Sequence, residues 1–342
     1  MGYQLRSDHR HWRDQASATL LEKFLEESNI EGHTILELLT PPESSDSFLH
    51  GSTKKVDRWS RAARPNLQAR CWPDKNQYDG VTLRLPKSKK ELEMCSHLAF
   101  SRLHAGCPLW IYGANDEGIK SAENILKPLA DSITTVAYGS KCRVLEAKPL
   151  QEFNYKGELA DWETLTPVHL AGKQRDWISY PGVFAQGCVD RGTQVLIDSL
   201  PSIPASTKVL DFGCGSGLVG GEIGLQEKLV LIDFLDIDVL ALEAVKKNIP
   251  EATIIASDGY RALGNQRYDL IVSNPPYHNG KDWSEDVIKI MIEGGTQHLN
   301  LGGKLIFVVQ RRLKMEGLLS AHFETVEVLA DSDIYRVWCA NL

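Results

Sequence analysis

Asn274-Pro275-Pro276-Tyr277 follows an apolar run, Tyr268-Asp269-Leu270-Ile271-Val272-Ser273, that reads as a buried strand. Two prolines directly after a strand force a rigid, extended exit and leave the Pro275 carbonyl outside any ladder. That carbonyl and the Asn274 amide oxygen could both accept from one NH2 group, while Tyr277 offers a ring to a planar base. An amine conjugated to an aromatic ring is a poor nucleophile until acceptors hold its protons and aim its lone pair. Pro276 would stiffen that grip. Upstream, Val209-Leu210-Asp211-Phe212-Gly213-Cys214-Gly215-Ser216-Gly217 reads as a strand ending in D-x-G-x-G-x-G. Glycines there let the backbone turn sharply and let a ligand lie on main-chain atoms. Gly215, Gly217 and Gly220 also satisfy G-x-G-x-x-G, so a nicotinamide enzyme must be weighed. It would have no use for an amine-gripping Asn-Pro-Pro.

Further residues could complete a site. Asp236 closes the next apolar run, where a carboxylate can accept both hydroxyls of a ribose. Asp238, two residues on, reads better as a helix N-cap. Asp258 is placed to read the amine of a base, or to cap the next segment. Phe184 could wall a cofactor pocket or simply fill the core. His278 could touch the base or a phosphate, or cap its own loop. Arg311 and Arg312 follow a buried strand at the same edge, suited to phosphate contact or to solvation alone. Cys214 reads as a small residue within the loop.

The elements that must position these residues alternate strand with helix through the second half: Lys208 to Phe212, Lys228 to Leu235, Val239 to Asn248, Thr253 to Ala256, Tyr268 to Ser273, Glu285 to Leu299, Lys304 to Val309. That order predicts an α/β domain with a parallel-type sheet covered on both faces. Thr325 to Leu329 and Tyr335 to Ala340, joined by a short turn, predict an antiparallel edge hairpin. The first half repeats the plan. Tyr78-Asp79-Gly80-Val81-Thr82-Leu83-Arg84-Leu85-Pro86 mirrors Tyr268 to Pro276, and Thr34 to Leu39 mirrors Lys208 to Phe212, but Thr40-Pro41-Pro42 follows where the second copy has glycines. Two doubly wound domains result, only the second with a ligand loop. The divisions expected are 1–150, a linker with a small hairpin at 151–175, and 176–342.

A chain of 342 residues is long enough for two such domains. Its longest apolar runs are strand-sized, and its polar start, Met1 to Arg13, lacks the apolar core of a secretory signal. Seven cysteines without a C-x-x-C fit reduced thiols rather than a disulfide or zinc framework. A soluble, cytoplasmic protein without metal or membrane partner is expected. The net charge of -7 is uneven: residues 1–150 carry 21 Lys+Arg against 19 Asp+Glu, residues 151–342 carry 17 against 26. Residues 54–90 hold eleven basic residues, Lys87, Lys89 and Lys90 among them, against three aspartates, a net of +8. Such a stretch suits attraction to phosphate backbones, or merely keeps helix faces wet.

D-x-G-x-G-x-G followed by N-P-P-Y resembles the S-adenosylmethionine-dependent amino-methyltransferases. Within them, Asp269 to Gly280 resembles the N-P-P-F-H-x-G variant of the RsmC/RlmG group, the bacterial rRNA guanine-N2 methyltransferases, with Tyr277 in place of the usual Phe. Tyr180-Pro181-Gly182-Val183-Phe184 with Asp190-Arg191-Gly192-Thr193 is similar to that group's P-G-V-F…D-x-G-T segment. Gly302-Gly303-Lys304-Leu305 and Gln310-Arg311-Arg312-Leu313 resemble its closing motifs, with Gln310 where Asn is common. The resemblance implies two tandem Rossmann-like, class I methyltransferase domains, the N-terminal one degenerate and implicated in RNA binding. It implies S-adenosylmethionine held by Asp211, Gly213, Gly215, Gly217, Asp236, Asp258 and Phe184. Asn274, Pro275, Pro276 and Tyr277 would act on a base taken out of its stack. Ribosomal RNA or a subunit particle would be the partner of a monomer, met by His278, Arg311, Arg312, Lys87, Lys89 and Lys90. Small-subunit RNA is expected. Large-subunit guanine-N2, adenine-N6 and glutamine-N5 acceptors stay open, as does an RNA-binding assembly factor with a vestigial site.

Overall fold

The computed structural model describes residues 8–28, 30–41, 55–65, 68–183, 189–275 and 281–342. By internal packing the chain divides into two units. The first holds the described residues up to Arg61 and from 68 to Glu163; the second holds Thr164–Leu342 together with residues 62–65.

The first unit runs α1 (Asp8–Glu27), β1 (Thr34–Leu38), β2 (Lys55–Trp59), β3 (Gly80–Arg84), α2 (Lys89–Ser101), β4 (Leu109–Ala114), α3 (Ile119–Leu126), β5 (Ala130–Gly139) and β6 (Cys142–Pro149). Its sheet has the order β2-β1-β3-β4-β6-β5, in which only β6 runs against the others. β3 and β4 are buried at every position, as strands covered on both faces must be. β5, at the edge, is fully buried at only one position.

In the second unit a hairpin, β7 (Thr164–Leu170) with β8 (Lys173–Ser179), turns through Ala171 and Gly172, both at positive φ. There follow α4 (Arg191–Ser199), β9 (Lys208–Phe212), α5 (Leu218–Gln226), β10 (Leu231–Asp236), α6 (Val239–Asn248), β11 (Thr253–Ala256), β12 (Tyr268–Ser273), α7 (Lys281–His298), β13 (Leu299–Gln310), α8 (Glu316–Ser320), β14 (Thr325–Asp331) and β15 (Tyr335–Asn341). The sheet order is β11-β10-β9-β12-β13-β15-β14, in which only β15 runs against the others. The edge hairpin is therefore β14–β15, as expected. One core forms on each face: Phe212, Tyr260, Met291 and Phe307 on one, Val209, Ile223, Val272 and Val337 on the other.

Strand register makes the duplication explicit. Ile35 pairs with Gly80 as Val209 pairs with Leu270, and Leu36 pairs with Asp57 as Leu210 pairs with Asp233. Equivalent side chains make the same hydrogen bonds. Asp79 accepts from the Thr34 amide and Asp269 from the Lys208 amide, each at 2.8 Å. The Tyr78 hydroxyl meets Asp57 at 2.7 Å, and the Tyr268 hydroxyl meets Asp233 at 2.8 Å. By the same register Glu37 corresponds to Asp211, Leu39 to Gly213 and Arg84 to Asn274.

Candidate active site

The carboxyl ends of β9, β10 and β12 converge on one place. Beyond β9 the chain turns through Gly213, Gly215 and Gly217, with φ of 68°, 54° and 84°. Such a run of left-handed backbone is costly for any other residue. A Cβ on Gly213 would meet nothing within 4 Å, so its backbone faces open space, whereas one on Gly217 would touch Val245 at 3.1 Å. Gly220, in the first turns of α5, is needed for packing: its Cβ would lie 2.4 Å from the Phe234 ring.

The two carboxylates hold this loop from either side. Asp211 is buried, and its Oδ2 accepts from the Gly220 amide at 2.8 Å, tying β9 to α5. Burial pushes its carboxyl up to about 7, with Asp236 adding to the rise and the Gly220 N–H opposing it. Asp236 accepts from the Gly215 amide through Oδ2 and from the Asp238 amide through Oδ1, each at 2.9 Å. Although the residue keeps some exposed surface, burial of its carboxyl and the neighbouring Asp238 push it up to about 6. Asp238 caps α6, its Oδ1 accepting from Leu240 at 3.0 Å. Asp258 follows β11, beside Ser257, whose amide donates to the Asp236 carbonyl at 3.0 Å. Burial also holds the Cys214 thiol well above its ordinary range, consistent with a small packing residue.

β12 lies beside β9, pairing Val272 with Asp211, and the Ser273 hydroxyl donates to the Phe212 carbonyl at 2.7 Å. Asn274 therefore emerges next to the glycine loop, 8% exposed. Its Nδ2 donates to Asp190 Oδ2 at 3.1 Å and to Thr193 Oγ1 at 2.8 Å. Its Oδ1 is buried and has no hydrogen-bond partner among the described residues. Pro275 is buried behind it. Pro276, Tyr277, His278 and Phe184 lie outside the described residues.

Other predicted contacts are distributed differently. Arg311 is paired with Asp331 at 3.1 Å and Arg312 bonds Gln310 at 2.7 Å. In the first unit the basic stretch does not survive as a +8 surface. Arg58 pairs with buried Glu37, Arg61 with Glu91, and Arg84 with both Asp14 and Glu117. Counting along the chain misses these because the carboxylates come from up to 70 positions away. Lys87, Lys89 and Lys90 remain exposed, the last two in the first turn of α2.

Bracing residues behind the loop escaped the sequence reading. Trp177 of β8 donates to the Ser216 carbonyl at 3.0 Å, and Asn248 donates to the same carbonyl at 3.2 Å while bonding both backbone groups of Ile178. A Cβ on Gly221 would lie 2.7 Å from the Trp177 ring, a sign of close helix-to-hairpin packing. Only Gly221 hinted at this in sequence, by standing next to Gly220 within one helix.

Residues 175–339 match the methyltransferase small domain family, and residues 29–164 match the methyltransferase small domain N-terminal family. The ribosomal RNA small subunit methyltransferase C of Pseudoalteromonas translucida is 32% identical over 270 residues, covering 77% of each chain. The chain belongs to the ribosomal RNA small subunit methyltransferase C family. The Psychromonas ingrahamii member is 30% identical, covering 76% of this chain and 75% of its own. A solved structure, the T. thermophilus 16S rRNA N2 G1207 methyltransferase (RsmC) in complex with AdoMet and guanosine, superposes with a TM-score of 0.83 at 23% identity, covering 95% of this chain and 91% of that one. The family fold thus takes in both units, class I methyltransferase architecture with an N-terminal copy. Among the described residues no helix is long and apolar enough to cross a membrane.

Proposed function

We propose that this family member transfers a methyl group from S-adenosylmethionine to the exocyclic N2 amine of a guanine in 16S ribosomal RNA. One observation carries the reading: a buried amide oxygen, Asn274 Oδ1, lacks a partner among the described residues at the exit of β12, beside the glycine loop. A buried acceptor without a partner calls for a donor, and at the exit of a central strand beside an open glycine loop a ligand can supply it. The grip serves any conjugated amine; small-subunit ribosomal RNA is what the relatives' names state for them, and the N2 of a 16S guanine is what the description of the T. thermophilus protein states for it.

The residues present fit the cofactor. Gly213 presents open backbone at the end of β9, and Asp236 stands at the end of β10 with its carboxylate fixed by two amides. Gly213, Gly215 and Asp236 would hold the nucleoside, Asp258 would face its base, and Asp211 would keep the loop in shape from below. When bound, S-adenosylmethionine supplies a methyl group on a sulfonium, an electrophile that needs an aligned lone pair. Asn274 Oδ1 accepts one proton of the target amine, and the Pro275 carbonyl is the second acceptor proposed. Held there, the amine keeps its lone pair out of the ring system and in line for displacement. The proton is lost after transfer, because the methylated amine cation is strongly acidic. Lys87, Lys89 and Lys90 would contact phosphates of the RNA or of a subunit particle, in the cytoplasm.

Asn274→Ala tests the reading. Methyl transfer should vanish while S-adenosylhomocysteine affinity stays within a few-fold, because the side chain acts only when the amine is present. Normal turnover by the variant, or equal loss of cofactor affinity, would overturn it. In cells lacking the protein, one guanine of 16S rRNA should lose its N2 methyl group.

A further inference from the structure

An amide side chain offers an acceptor at one end and two donors at the other, and only one end serves an incoming NH2. Which end faces the substrate is settled here by two residues of another element, 84 and 81 positions upstream. Asp190 caps α4: its Oδ2 accepts from the Gly192 amide at 2.9 Å and the Thr193 amide at 3.3 Å. The same oxygen receives Asn274 Nδ2. Thr193, 4% exposed in the first turn of α4, places Oγ1 2.8 Å from that nitrogen. Turning the amide over would set its oxygen against a carboxylate oxygen that two backbone amides already fix in place. It would also leave the NH2 group as the end presented to a substrate amine, donor against donor.

We infer that Asp190 and Thr193 are positioning residues for the reaction, which lock the Asn274 amide with its oxygen free for the target amine. The inference rests on the amine-gripping role of Asn274 proposed above. The cap of α4 then has two duties. It satisfies the helix's own first amides, and it gives the catalytic side chain a polarity that rotation about χ2 would otherwise leave to chance. A buried Asn whose NH2 group has two acceptors and whose oxygen has no partner among the described residues is half of a hydrogen-bond network; the substrate is the other half.

Thr193→Val keeps the branching and bulk of the side chain and removes the acceptor; Thr193→Ser keeps the acceptor and removes a methyl. The Val variant should lower kcat by about tenfold or more, the scale of one charge-free hydrogen bond removed from the transition state. KM for RNA and affinity for S-adenosylhomocysteine should stay within about twofold. The Ser variant should restore most of kcat, and the side-chain NH2 resonance of Asn274 should shift in the Val variant but not in the Ser variant. If Val is not accommodated, Thr193→Ala removes the same acceptor and takes its place. Wild-type kcat in these acceptor-free variants, or a loss shared equally by Ser and Val, overturns the inference. Wild-type turnover in Asn274→Ala overturns instead the site reading on which it stands.

Discussion

Arg84 holds in the first sheet the register position that Asn274 holds in the second. Where Asn274 leaves an oxygen open, Arg84 fills the corresponding end of β3 with a buried guanidinium, bonded to Asp14 at 2.9 Å and to both Glu117 oxygens at 2.8 Å. Leu39 completes the substitution. It keeps the left-handed turn at φ 56° where Gly213 has 68°, but adds a side chain where a ligand would lie.

Removing Arg84 should therefore strand two carboxylates and yield no second cofactor site. Arg84→Ala should lower stability by about 3 kcal/mol, the lower end for breaking a buried pair because Glu117 keeps some exposure. Calorimetric titration of S-adenosylhomocysteine should give one site per chain, for wild type and variant alike. A stoichiometry of two would show that the first unit retains a ligand loop.

Asp236→Ala should weaken S-adenosylhomocysteine by about 1.5–3 kcal/mol, the range for a hydrogen-bonded charge, as well as loosening the Gly215 amide. NADH should bind neither protein. Undiminished affinity in the variant would remove Asp236 from the nucleoside site.

The two raised carboxyls give opposite pH signatures. Asp211, near 7 when folded against an ordinary 3.8, holds a proton in the folded chain that the unfolded chain releases. Its contribution to stability is therefore most favourable at acid pH, falls as pH rises from about 4 to about 7, and is constant above. The stability difference between wild type and Asp211→Asn should shift across that window in favour of the variant as pH rises. Asp236 must be ionised to accept hydroxyls, so cofactor affinity should decline as pH drops below about 6. A flat stability difference, or affinity that is level from pH 7.5 to 5, would contradict these assignments.

Replacing Lys87, Lys89 and Lys90 by Ala should weaken RNA binding and flatten the dependence of log K on log salt by about 0.7–0.9 for each phosphate no longer neutralised. Lys89 and Lys90 sit at the start of α2, where a cation opposes the helix dipole. The triple variant should accordingly be no less stable than wild type, and S-adenosylmethionine affinity should not change. Parallel salt plots would mean that these lysines only solvate the helix.

The sequence made the central strands and the glycine loop legible because both obey local rules. β9, β10 and β12 are apolar runs broken by Gly, Asp or Pro, and three left-handed positions within five residues favour glycine at each. The Asp238 cap was legible for the same reason. What escaped was non-local. The orientation of Asn274 depends on Asp190 and Thr193, and the glycine loop leans on Trp177 and Asn248; no spacing rule joins such residues. The charge count over residues 54–90 failed in the same way, since Arg58, Arg61 and Arg84 find partners in Glu37, Glu91, Asp14 and Glu117. β5 was unreadable because an exposed edge strand carries no apolar signature.

Residues 62–65 pack with the second unit although the chain on both sides of them belongs to the first, and the Ala63 amide donates to the Ile237 carbonyl at 2.7 Å, between Asp236 and Asp238. Among the described residues the polypeptide thus passes from one unit to the other three times, and no single cut yields both units whole. A fragment beginning at Thr164 would lack the strand-like piece that meets Ile237 and would leave that carbonyl without its partner, next to Asp236. A version of the second unit made by itself should keep its native packing only if residues 62–65 travel with it, by circular permutation or as an added strand.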